Sequence, residues 1–123
     1  MAAVPRILVV EDDADVQAVV TEFLQTTGYH VLSTASAEEA RHVLAREAVD
    51  LALIDCVMSR EQGDSLAEHA LRLGIPTILT SGDPYYLEAL PEQSLPFLPK
   101  PFHLTTLEEL IARMLGVAKV QQA

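Results

Sequence analysis

The chain is short of several things that would assign it a role at once. A single cysteine, Cys56, in 123 residues excludes an internal disulfide framework and fits a reducing compartment. Cations are scarce: eight Lys+Arg face eighteen Asp+Glu, for a net charge of -10. The two lysines and six arginines are scattered rather than clustered, which argues against direct nucleic-acid binding, since a phosphate backbone is held largely by grouped cations. No apolar run approaches the ~20 residues that span a bilayer, so membrane insertion is not expected. Met1–Arg6 lacks the basic start and apolar stretch of a signal peptide, and the expected location is cytoplasmic. GxxxxGK, GxGxxG and GxSxG are all missing, which removes support for a nucleotide-binding loop or a serine hydrolase. The four histidines, His30, His42, His69 and His103, show no ligand spacing and read as structural or surface groups.

What is present is a foldable chain. Half of the residues are hydrophobic and only five are glycine, which argues against disorder. The length suits one domain over 1–123, with a core of about 5–116 and a tail, 117–123, expected to fray. Ile7-Leu8-Val9-Val10 and Leu51-Ala52-Leu53-Ile54 are unbroken apolar runs, the pattern of strands covered on both faces. Tyr29–Leu32, Thr77–Thr80 and Phe97-Leu98 read as three more strands. Between them lie amphipathic segments. Val16, Val19, Val20, Phe23 and Leu24 form one helical stripe, closed by Gly28. Ser36 and Glu39 have capping-box spacing ahead of Ala40, Val43 and Leu44. A third helix turns Leu66, Ala67, Ala70, Leu71 and Leu73 inward, a short fourth runs from Asp83 or Pro84 to Leu90, and a last one carries Leu104, Leu107, Leu110, Ile111, Met114 and Leu115. Strands alternating with helices predict an α/β fold, a five-stranded parallel sheet with helices on both faces.

In such sheets the functional crevice lies beyond the carboxyl ends of the strands. Those ends carry Glu11 and Asp12, then Asp55, Ser81 and Lys100. Three carboxylates in one crevice repel one another unless a cation or protons compensate. Hard oxygen ligands of this kind suit Mg²⁺, which keeps several waters and accepts a phosphate oxygen. A hydroxyl and an ammonium beside it could hold the other oxygens of a phosphoryl group. Phosphoryl transfer onto a carboxylate uses all five residues.

These residues resemble the response-regulator receiver domain of two-component signalling, in its stand-alone, chemotaxis-type form. The resemblance rests on Ile7–Asp13, Asp50–Asp55, Ile75–Gly82 and Lys100-Pro101-Phe102, in order along nearly the whole chain. It implies a flavodoxin-like, doubly wound sheet of order 2-1-3-4-5. It also implies roles: Asp55 as phosphoacceptor, Asp12 as direct Mg²⁺ ligand, Glu11 as a ligand through water and the Val57 carbonyl as a further one. Ser81 becomes the switch hydroxyl, Lys100 the phosphate-pairing lysine, Phe97 either a switch aromatic or plain core, and Pro101 a candidate for a cis peptide bond. A histidine kinase or histidine phosphotransfer protein would supply the phosphoryl group, and output would pass to a downstream protein by direct contact. Enzymatic activity is expected only as slow self-phosphorylation and self-dephosphorylation at Asp55.

The chain departs from the family pattern in places. The segments from Asp55 to Ser81 and from Ser81 to Lys100 are shorter than usual, so the third and fourth helices are expected to be abbreviated. Ser59 and Arg60 stand where Pro-Gly is common, and Gln62 precedes Gly63 where an Asp is typical. Val57 and Asp83, two places after Asp55 and Ser81, are the expected rate-setting positions for dephosphorylation. Val57 offers no hydrogen bond to an attacking water, which predicts a long-lived phosphoform. Three alternatives stand beside this reading, one of them that the chain is the receiver fragment of a longer transcription factor. A Mg²⁺-dependent phosphohydrolase commonly wants an acid two residues after its nucleophile, where Val57 stands. A phosphorylation-independent binding module would not need Glu11, Asp12, Asp55, Ser81 and Lys100 together. Cys56, beside Asp55, reads as a small buried hydrophobe.

Overall fold

A computed structural model describes residues 4–55, 60–82 and 96–116 of the chain. Its elements run β1 (Arg6–Val10), α1 (Ala14–Thr27), β2 (His30–Thr34), α2 (Ala37–Arg46), β3 (Leu51–Asp55), α3 (Arg60–Arg72), β4 (Thr77–Ser81), β5 (Phe97–Pro99) and α4 (Leu104–Leu115). All pairings are parallel, in the order β2-β1-β3-β4-β5. The expected short helix at 84–90, the tail 117–123, Cys56, Val57, Ser59 and Asp83 lie outside the described residues.

The inner strands β1 and β3 are apolar on both sides, and period-two alternation divides the sheet between two cores. Leu8, Val10, Ala52, Ile54 and Leu79 point to one face and pack with Ala37, Ala40 and Leu44 of α2 and Leu66, Ala67 and Ala70 of α3. Ile7, Val9, Leu51, Leu53, Ile78 and Leu98 point to the other, against Val20 and Leu24 of α1 and Leu107 and Ile111 of α4. Leu8, Leu24, Leu51, Ile54 and Ile111 are wholly buried; truncating any of them to Ala costs about 2–5 kcal/mol by the usual cavity penalty.

Helix ends follow local chemistry. The Asp13 carboxylate accepts from the Asp15 and Val16 amides and starts α1. Gly28 ends it in a left-handed conformation, φ 118°, that a side chain would resist. Ser36 caps α2 through the Glu39 amide, while the Glu39 carboxylate reaches back to the Ala35 amide rather than to that of Ser36.

Three apolar residues lie elsewhere than their pattern predicts. Val19, placed in the α1 stripe, is 54% exposed because it sits at the edge of that stripe, beyond Val16 and Val20. Leu71 and Leu73, expected inward, are exposed. Leu71 is turned well away from the Leu66–Ala70 face, and Leu73 would rejoin that face only if α3 continued past Arg72. The third helix, expected to be abbreviated, spans 13 residues against the 10 of α2.

Candidate functional site at the strand ends

Sheet order determines what meets at the carboxyl edge. From β1 the chain crosses one way to β2, and from β3 it proceeds the other way to β4 and β5, so the order reverses between β1 and β3. Crevices open at such reversals. Val10 pairs with Ile54, Asp55 with Thr80, and Ser81 with Pro99. The register therefore sets Glu11 beside Asp55, and Ser81 one strand further on. The Lys100 amide donates to the Ser81 carbonyl at 2.9 Å, which brings the lysine out over the same edge.

Glu11, Asp12 and Asp55 each aim a carboxylate oxygen into a space where all three lie within 4.8 Å of one another. Glu11 and Asp55 are buried, Asp12 is exposed. The Lys100 ammonium bridges the two buried acids, donating to Glu11 Oε1 at 3.0 Å and to Asp55 Oδ2 at 3.1 Å. The Asp13 amide donates to Glu11 Oε2 at 3.2 Å. Burial pushes the Glu11 carboxyl up to about 7, and Asp55 pushes the same way by hydrogen bond and by charge; Lys100 and the Asp13 amide pull against them. For Lys100 burial opposes the ammonium, but the hydrogen bonds and charges of Glu11 and Asp55 outweigh it and raise its pKa. The group is a set of hard oxygen donors whose charge one ammonium only partly offsets. That chemistry fits a small divalent cation such as Mg²⁺.

Ser81 is buried at the end of β4. Phe97 is half-buried and packs against the core on the α2–α3 face. The Lys100–Pro101 peptide bond is cis, as the X-Pro position allowed. Beside the acids, an open groove of about 700 Å³ is lined by Val16, Val19 and Val20 of α1 and by Pro101, Phe102 and Leu104, with Gly82 and Lys100 where it meets the acid cluster. Among the described residues, no helix is long and apolar enough to cross a membrane.

The sequence places Asp13 at the helix N-terminus, where it is the N-cap. Sequence reasoning missed three polar features. The Asp13 amide also donates into the site, to Glu11. Gln17, on α1, reaches back to the acid-bearing loop, and no local pattern announces that. Glu108 of α4 is buried beside Tyr29, whose hydroxyl is pushed up first by burial and then by the Glu108 charge and hydrogen bond.

Residues 7–112 match the family described as Response regulator receiver domain. The response regulator receiver protein CpdR of Brucella abortus (strain 2308) is 33% identical over 118 residues, covering 92% of this chain and 98% of that protein. A receiver domain protein (CheY-like) from Methanospirillum hungatei JF-1 superposes with a TM-score of 0.81 at 28% identity, over 93% of this chain and 95% of its own. The DNA-binding transcriptional regulator NtrC of Rhizobium meliloti (strain 1021) is 31% identical over 92% of this chain. The chain spans only 24% of NtrC, and a third or less of two other curated relatives, so what those whole proteins do does not carry over. Sheet order, strand-end chemistry and these likenesses agree along most of its length, and the chain belongs to the receiver domains of two-component response regulators.

Proposed function

We propose that the protein is a phosphorylation switch in which Asp55 accepts a phosphoryl group from a histidine kinase or histidine phosphotransfer protein. The observation that carries this reading is Asp55 itself: a buried carboxylate at the end of β3, where the sheet order reverses, 3.1 Å from the Lys100 ammonium. Glu11, Asp12 and Asp55 would hold Mg²⁺, with the Val57 carbonyl as a further ligand. When bound, the ion neutralises the acids and the charge of the transferring phosphoryl group.

An Asp55 carboxylate oxygen attacks phosphorus, forming an acyl-phosphate O–P bond as the P–N bond to the donor imidazole breaks and the imidazole leaves with the electron pair. Lys100 then exchanges its bond to Asp55 for one to a phosphate oxygen, and the Ser81 hydroxyl takes another. Both contacts exist only after transfer, so they favour the phosphorylated arrangement alone. They would favour a second arrangement of Phe97 and of the face built on β5 and α4, which a downstream protein reads. By the resemblance, Val57 and Asp83 would be the positions that set dephosphorylation; a valine offers attacking water no hydrogen bond, which would prolong the phosphoform.

The groove between α1 and Phe102 is the natural seat for the donor, because Gly82 and Lys100 line it and the Lys100 ammonium is bonded to Asp55. An apolar ridge of the donor would cover Val19 there and bring its phosphohistidine to the site. The test is incubation with Mg²⁺ and a small acyl-phosphate donor, followed by intact mass. Wild type should gain one phosphoryl group and Asp55→Ala none; equal labelling of the variant would overturn the assignment.

A further inference from the structure

Gln17 lies on α1, outside the acid cluster, yet its side chain ends on the loop that carries two of the acids. Its Nε2 donates to the Glu11 carbonyl at 3.2 Å and to the Thr34 carbonyl at 2.8 Å. The Thr34 carbonyl also accepts from the Glu11 amide at 3.0 Å, and the Gln17 amide donates to the Asp13 carbonyl at 2.9 Å. One residue thus grips residues 11–13 by side chain and main chain together, and ties them to the end of β2.

We propose that Gln17 is a positioning residue for the divalent-cation site. The Glu11 carbonyl belongs to the peptide unit that joins Glu11 to Asp12. Rotation of that planar unit changes ψ of Glu11 and φ of Asp12 together, and so moves the two side chains relative to each other. The two Gln17 bonds straddle the point where β1 leaves the sheet: one ends on Glu11, just past Val10, and the other on Thr34, which forms the last ladder pair with Val10. Without them, the unit has lost a restraint at the point where a buried and an exposed carboxylate must converge with Asp55. Cation sites need their ligands held to about 0.5 Å, and the groups that orient ligands typically contribute 10–100-fold in affinity.

The inference rests on the proposed Mg²⁺ role of Glu11 and Asp12, and the test separates the two. Gln17→Met keeps length and helix propensity while removing both donors. Thr21→Val is the control: it breaks the other hydrogen bond between α1 and β2, Thr21 Oγ1 to Ser33 Oγ at 2.8 Å, one turn along the same helix and away from the acids. Mg²⁺ affinity is measured by calorimetry, and amide hydrogen exchange at Asp12 and Asp13 is followed in the metal-free protein. Gln17→Met should bind Mg²⁺ about tenfold more weakly and exchange faster at both amides, with Thr21→Val within twofold of wild type in both. If Gln17→Met does not fold, Gln17→Asn, which keeps a polar amide one methylene short, takes its place with the same expectation. Wild-type affinity and exchange in the Gln17 variant overturn the inference, as does an equal loss in Thr21→Val, which would mean general loosening of α1. A wild-type protein that binds no Mg²⁺ overturns the metal reading, and this inference with it.

Discussion

At Glu11 burial and charge conflict. It is 5% exposed, shares its surroundings with Asp55, and has one ammonium and one amide to offset its charge. Its carboxyl is pushed from an ordinary 4.5 to about 7. A carboxyl that holds its proton more tightly folded than unfolded stabilises the native state less as pH rises through that interval, because the unfolded chain releases the proton first. Lys100, raised above its ordinary value, stays charged throughout the same window and does not reverse the sign. In EDTA the melting temperature of wild type should therefore fall between pH 5 and pH 7.5, and Glu11→Gln, which carries no titrating proton, should lose that part of the slope. Identical profiles would show that Glu11 does not hold the proton. Mg²⁺ competes for the same oxygens, so its affinity should rise across this range and its binding should release protons.

At the scale of elements, two helices begin with comparable caps placed differently with respect to the site. Ser36 caps α2 on the outer part of the sheet, and Asp13 caps α1 two residues from Glu11. Replacing either by Ala should cost about 1 kcal/mol of stability, since each leaves an end amide without its acceptor. Only Asp13→Ala should also weaken Mg²⁺ binding: alanine keeps the amide that holds Glu11 Oε2 but loses the carboxylate cap that fixes that amide against the start of α1. Denaturant unfolding together with Mg²⁺ titration distinguishes them, and a Ser36→Ala variant with impaired Mg²⁺ binding would count against the local picture. The same elements show why some of the protein was legible in its sequence. Ile7–Val10 and Leu51–Ile54 announce buried strands because a two-sided core demands unbroken apolar runs, and strand ends announce the acids because parallel topology gathers them at one edge. Pattern alone could not say that Val19 stays uncovered, since that depends on what packs over the edge of the stripe. Nor could it find Gln17 on Thr34, or Glu108 beside Tyr29, because those contacts join segments whose separation in space the fold alone decides.

For the molecule as a whole, the acid cluster is a place where folding concentrates like charge in a chain that already carries -10. The unfolded chain spreads Glu11, Asp12 and Asp55 apart; the native sheet brings their oxygens within 4.8 Å. A cation bound only in that arrangement stabilises the folded state by mass action. At Mg²⁺ ten times its dissociation constant the gain is about 1.4 kcal/mol, which for a chain of this size raises the melting temperature by about 5 °C. Asp12→Ala should abolish the rise, because it removes the exposed acid of the set while leaving the buried Glu11–Lys100–Asp55 contacts in place. The same variant should match or exceed wild type in EDTA, since one source of repulsion is gone. Thermal melts of both proteins across a Mg²⁺ series decide the matter, with calcium-free buffer and constant ionic strength to hold general screening fixed. A full Mg²⁺ shift in Asp12→Ala would move the cation away from these acids. A wild type indifferent to Mg²⁺ would leave the cluster to the counter-charge that Lys100 supplies.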